Sequence, residues 1–161
     1  MANYFGVGEQ GFSRSNGGSQ VLLHTLTLAT STLARTAWEK ACAAWLGERA
    51  FFAGMGTGDV DLLELPWSQV PQEAAQQRDF LGRATDTAWA GHRWEALSYD
   101  PALDLAQHSL TQFRALLDVP HLTSSVAKTQ TWDFDSPGEI RLCGKHGVYH
   151  GSMGCTLCLE E

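Results

Sequence analysis

Between Asp100 and Pro120 the chain reads DPALDLAQHSLTQFRALLDVP. Leu103, Ala106, Leu110, Phe113 and Leu117 recur at steps of three and four, the period that gathers side chains on one face of an α-helix. Asp100 is placed to cap that helix, Pro101 suits its first position, and Asp104 complements the positive end of its dipole. Pro120 cannot continue it. This helix sets the class expected for the chain, because other stretches repeat its period.

Upstream, Leu22, Leu26, Ala29 and Leu33 draw one helical face, with Ser19 as a candidate N-cap. The Thr-Ser-Thr run at 30–32 marks a break, after which Trp38, Ala41, Cys42 and Trp45 resume the spacing up to Gly47. Two helices are preferred here over one long one. Residues 50–67, with glycines at 54, 56 and 58, read as a surface loop that pins Leu62, Leu63 and Leu65 inward. A third helix begins at Ser68 or near Pro71, buries Ala74, Leu81, Ala84 and Ala88, and ends at Gly91. His92–Ser98 reads as extended. The expected fold is a mainly α, compact bundle of about four helices over residues 19–120. A glycine-rich arm at 1–18, with room for a short edge strand at Tyr4–Val7, precedes it. A linker at 121–138 should pack on the core through Trp132 and Phe134, ahead of a metal-binding segment at 139–161.

The 161 residues suit one domain with a small appendage. A formal charge of −7, with 11 scattered basic residues, disfavours broad binding to phosphate backbones. No run of apolar residues is long enough for a membrane span, and the start lacks a basic stretch followed by an apolar one. The expected location is the cytoplasm.

Cysteine usage points the same way. The segment CGKHGVYHGSMGCTLC, residues 143–158, holds three of the four cysteines and two of the six histidines. In a cytosolic chain such a cluster suggests a metal site rather than disulfides. Cys143-x2-His146 and Cys155-x2-Cys158 each allow a tight turn to aim two donors at one ion, and two such turns complete the tetrahedron that Zn²⁺ prefers. Gly144, Gly147 and Gly154 lie where the backbone must bend, and Gly151 could turn a hairpin between the pairs. His150 is the rival for the fourth position. His146 is preferred because Cys-x2-His forms a knuckle and Cys-x6-His does not.

Residues 139–161 resemble a zinc ribbon, the β-hairpin module in which two Cys-x2-Cys-type knuckles clamp one ion. The resemblance implies Cys143, His146, Cys155 and Cys158 as ligands of a structural zinc ion. His146 stands where the module has a cysteine, the gap of eight residues is short for it, and no glycine follows Cys158. A ribbon, a treble-clef-like arrangement and a bare knuckle all accommodate the four donors. With four protein ligands the site is closed, which is the structural rather than the catalytic pattern. Zinc with three thiolates and a neutral imidazole is net negative, a poor grip for phosphate.

Other candidates carry less. Asp59, Asp61 and Glu64 alternate in a glycine-rich loop, yet lack the ligand density of a Ca²⁺ loop, so capping of a turn is the simpler expectation. GMGTG at 54–58 has no Gly-Lys-Ser/Thr. His24, His92, His108 and His121 have no partner at ligand spacing. Cys42 sits in a helix among Ala and Trp, where a thiol is buried and inert. The six tryptophans fall mostly at core spacing or at element ends.

Three functions follow, in order of preference. The first is a non-catalytic protein-interaction or regulatory module with a structural zinc site, whose partner is another protein. The second is nucleic-acid binding through the zinc tip, which needs a patch assembled from Arg78, Arg83, Arg93, Arg114, Arg141 and Lys145. The third is an enzyme with a site between the helices, built from His24, His92 or His108 beside a carboxylate.

Overall fold

The computed structural model describes residues 2–123 and 138–161. Residues Trp132 and Phe134, expected to anchor the linker, lie outside them. Two strands come first, β1 (Ala2–Val7) and β2 (Gln10–Ser15), followed by the helices α1 (Asn16–Leu33) and α2 (Ala37–Gly54). Strand β3 (Val60–Asp61) precedes α3 (Pro71–Trp89) and α4 (Leu103–Leu116). The chain then gives β4 (Arg141–Leu142), β5 (Tyr149–His150) and the single-turn α5 (Thr156–Leu159). No helix is long and apolar enough to cross a membrane among the described residues.

Helix α1 runs through the centre and touches α2, α3, α4 and both N-terminal strands. Every residue from Leu22 to Ser31 is buried, so this stretch of the helix has no wet face. That explains its threonines. Thr25, Thr27 and Thr30 donate their hydroxyls to the carbonyls of Leu22, Leu23 and Leu26 at 2.8, 2.7 and 2.7 Å, which satisfies them inside the core. The break between α1 and α2 lies at residues 34–36. There Thr36 and Glu39 form a reciprocal capping box that starts α2.

The glycine-rich start is not mostly loop: the strand expected at Tyr4–Val7 is present within β1, but it is the central strand of its sheet rather than an edge. β1 and β2 form an antiparallel hairpin, and β3 adds to β1 in parallel, with Phe5 opposite Val60. Phe5 and Val7 are core residues, and Phe12 stacks on Phe5 at 5.4 Å. The hairpin's turn is Gly8, in the left-handed region at φ 61°. α1 therefore starts earlier than expected, capped by Ser15 rather than Ser19. The side chain of Asn3, fully buried, ties this sheet to the end of α2 by donating to the Ala53 carbonyl and accepting from Gly58 N–H.

Three further expectations are corrected. α2 extends to Gly54, so the stretch from residue 50 is not all loop. The stretch after Gly91 is not extended. Gly91 and Arg93 both have positive φ, and a 3₁₀ turn at Trp94–Ala96 follows. α4 begins at Leu103 after Ala102, so Asp100 does not cap it and Pro101 is not its first residue; Leu103 faces solvent and the buried stripe begins at Ala106. Leu62 and Leu65 are buried, as expected, and Leu63 packs at the core edge.

Candidate metal centre

A second, smaller core joins the C-terminal segment to the helices. Val148 and Leu157 pack with Leu28 of α1 and Leu97, beside Cys143 and Cys155. Each connection has a polar counterpart. Tyr149 N–H donates to Ser31 Oγ at 3.0 Å. Arg93, from its left-handed backbone, donates to the carbonyls of His146 and Gly147. The buried His24 lies 2.8 Å from the Tyr99 hydroxyl and 3.4 Å from Thr156 Oγ1. Burial holds the His24 imidazole neutral, with its pKa lowered to about 4.

Within this frame β4 and β5 pair antiparallel, Arg141 with His150 and Leu142 with Tyr149. The Cys143 N–H donates to the Val148 carbonyl, and the Gly147 N–H to the Cys143 carbonyl, both at 2.9 Å. That turn needs Gly147, whose φ is 65°. It folds His146 back over Cys143, whose sulfur accepts the His146 N–H at 3.4 Å. Gly154, at φ 86°, makes the corresponding bend before Cys155.

The donor atoms of Cys143, His146, Cys155 and Cys158 all lie within 4.8 Å of one another, an arrangement that could hold a metal ion. His146 Nδ1 lies 3.8, 3.6 and 3.3 Å from the sulfurs of Cys143, Cys155 and Cys158. The Cys143 and Cys158 sulfurs are 3.8 Å apart. One imidazole lone pair accepts one hydrogen, so three thiols converging on it are not explained by hydrogen bonding alone. A cation at their centre explains all four positions.

His146 Nε2 lies 3.0 Å from Glu161 Oε1, and Glu161 also pairs with Lys145. Those pairings, Lys145 first, hold the Glu161 carboxyl below its usual range. Burial acts against ionising the thiols. It is outweighed at Cys143, where the His146 and Lys145 N–H groups and the His146 side chain help bring the pKa to about 6. At Cys155 burial prevails and the pKa rises to about 12, with the charge on Cys143 adding to it. Three sulfurs this close become thiolates together only with a cation among them.

The other sequence candidates are placed elsewhere. His150 turns its Nδ1 to its neighbour's carbonyl, Gly151 O, at 2.9 Å and stays outside the cluster. Asp59 accepts from Tyr4 N–H at 2.7 Å, and Asp61 from Gly8 and Leu63 N–H at 3.3 and 2.9 Å. These carboxylates cap the small sheet. His92 pairs with Thr32 at 3.2 Å. Cys42 is fully buried, which pushes its thiol pKa well up. Trp38 and Trp67 pack with their rings tilted at 38° and 5.4 Å apart, and donate to the Pro66 and Leu62 carbonyls. Sequence reasoning missed Glu161, Arg93 and His24 around the centre. No local spacing links Arg93 or His24 to the cluster, since Arg93 lies 53 residues from His146 and His24 lies 132 from Thr156, and Glu161, 15 residues from His146, belongs to no ligand spacing.

No protein family, curated protein or solved structure matches the chain.

Proposed function

We propose that the four donors bind one structural Zn²⁺ and that the zinc-held segment presents a protein-binding surface. The observation that carries the zinc assignment is the spacing of the donors. A tetrahedral ion with bonds of about 2.3 Å to sulfur and about 2.0 Å to nitrogen has edges of about 3.8 Å between sulfurs and about 3.5 Å from sulfur to nitrogen. The Cys143 and Cys158 sulfurs are 3.8 Å apart, the three sulfur–nitrogen distances scatter from 3.3 to 3.8 Å, and all donor pairs lie within 4.8 Å. Three cysteines and one histidine are a soft donor set suited to zinc, and four of them leave no position for water or substrate. Zinc then acts as a staple on a segment that has only Val148, Leu157 and a few neighbours for a core.

The protein-binding assignment is supported by what the segment exposes. Leu142, Met153 and Leu159 are 56, 37 and 51% exposed, all three on residues 139–161. Exposed large apolar side chains on a metal-fixed scaffold suit a partner protein. The basic residues that nucleic-acid binding would need are engaged. Arg114, Arg141 and Lys145 pair with Asp86, Glu139 and Glu161. Arg93 holds backbone carbonyls, Arg78 donates to Thr123, and Arg83 lies over the Phe80 ring. For an enzyme, His24 and His92 face hydroxyls rather than carboxylates. The proposed location is the cytoplasm, where reduced thiols stay available to zinc.

Cobalt substitution tests the metal assignment: Co²⁺ should give the intense visible bands of tetrahedral thiolate coordination. Weak octahedral bands would contradict it. A photo-crosslinking residue at Leu142 or Leu159 tests the surface in the source cell. Each should trap one discrete protein that the same residue at Gln72, exposed on α3, does not. Equal labelling from all three positions would contradict the assignment.

A further inference from the structure

Away from the metal centre, a cavity of about 460 Å³ lies between the start of α1 and the start of α4. Small-molecule sites run roughly from 300 to 1,000 Å³. Val21, Ala102, Leu105 and Ala106 give it an apolar lining. Arg14 enters its wall from β2.

The state of Arg14 is the informative feature. Its Nε donates to Ser109 Oγ at 2.8 Å, one terminal nitrogen to the Ser13 carbonyl at 2.8 Å, and the other to Gln112 Oε1. Three of five N–H groups are used, all by neutral acceptors, and one remains on each terminal nitrogen. None of the ion pairs among the described residues includes Arg14. Its guanidinium is fixed in direction by Ser109, Gln112 and the Phe12 ring, 5.0 Å away, while its charge stays uncompensated. Two N–H groups on a planar fork match the two oxygens of a carboxylate. The first turns of α1 and α4 also border the cavity and add positive potential. At the mouth Leu105 is 71% exposed, an apolar surface that an aliphatic chain would cover.

We propose that this cavity binds a small amphipathic carboxylate, with its headgroup on Arg14 and its aliphatic chain against Val21, Leu105 and Ala106. The site is independent of the metal.

The test is a titration of isotope-labelled protein with sodium octanoate, followed by the backbone amide resonances. Saturable shifts at Gly18, Leu105 and Ala106 are expected. Octylammonium, with the same chain and the opposite charge, should bind about ten-fold more weakly or worse. Arg14→Met should weaken octanoate by about the same factor. Arg14 also ties β2 to α4, so Leu105→Asp provides a second variant. It changes an exposed side chain, leaves the fold intact and should likewise weaken octanoate by placing a carboxylate at the mouth. Octylammonium binding as tightly as octanoate, no loss with Leu105→Asp, or shifts absent from these amides would each overturn the proposal.

Discussion

His146 directs one ring nitrogen at three sulfurs and the other at Glu161, whose Oε1 lies 3.0 Å from Nε2. A carboxylate at Nε2 favours the proton there and leaves the Nδ1 lone pair facing the sulfurs, where it could bind a metal ion. It also fixes the ring plane. Lys145, paired with the same carboxylate, keeps it in place. The cluster that could hold a metal ion thus has a further layer around its four donors.

Replacing Glu161 by alanine should weaken zinc about 10–100-fold while stoichiometry stays at one per chain. Glu161→Gln, which still offers an oxygen to Nε2–H, should recover part of the loss. Competition with a chromophoric chelator measures both. Unchanged affinity in Glu161→Ala would mean that the contact does not act on the metal.

Cys155→Ser should lose the ion, and His150→Ala should keep it. Because Val148 and Leu157 pack against Leu28, loss of the ion should lower the melting temperature as well as loosen the segment. Metal analysis and thermal unfolding of the two variants check this. Zinc retained at full occupancy in Cys155→Ser would refute the ligand assignment.

Arg93 is the non-glycine residue with positive φ among the described residues, at 59°. Such a backbone costs roughly 1–3 kcal/mol, and its side chain secures the His146 and Gly147 carbonyls. Arg93→Ala should speed hydrogen exchange at the Cys143 and Tyr149 amides and leave the centre of α1 protected. Arg93→Gly, free of the backbone cost, should be the more stable variant by about 1 kcal/mol. Equal stability of the two would show that the left-handed backbone stores no strain.

His24 gives the fold a pH dependence. Its folded pKa, lowered to about 4, lies below the unfolded value of 6.5, so the unfolded state binds the proton more readily. Its contribution is therefore complete above pH 6.5 and fades as pH falls toward 4, by about 3 kcal/mol in total. Unfolding curves of the wild type and His24→Gln measured across that range isolate it, since ligand protonation affects both. A stability difference that does not shrink on acidification would contradict the buried, neutral imidazole.

That Cys143, His146, Cys155 and Cys158 come together, as a cluster that could hold a metal ion, was legible because two Cys-x2 turns are local and their geometry follows from spacing. The buried stripe of α4 from Ala106 onward was legible for the same reason. The N-terminal hairpin was not, since Gly6, Gly8 and Gly11 erase the alternation that Phe5, Val7 and Phe12 would otherwise show. α1 read as one-faced because its threonines look polar, whereas Thr25, Thr27 and Thr30 bond within their own helix and pass as core. The Asp100-Pro101 pair gave a strong start signal, yet the helix begins at Leu103, where no cap reaches it. Arg93 and His24 reach the C-terminal segment by tertiary packing, which spacing does not encode, and Glu161 lies inside it but contacts His146 only once the segment is folded. The three exposed apolar residues of that segment also gained meaning only once Val148 and Leu157 were placed inside.

Metal content of the freshly purified, reduced chain, measured by elemental mass spectrometry against protein concentration, tests the central claim most directly. One zinc per chain, lost in Cys155→Ser, is the predicted result. Protein that folds with no metal, and stays metal-free when supplied with zinc, would contradict it.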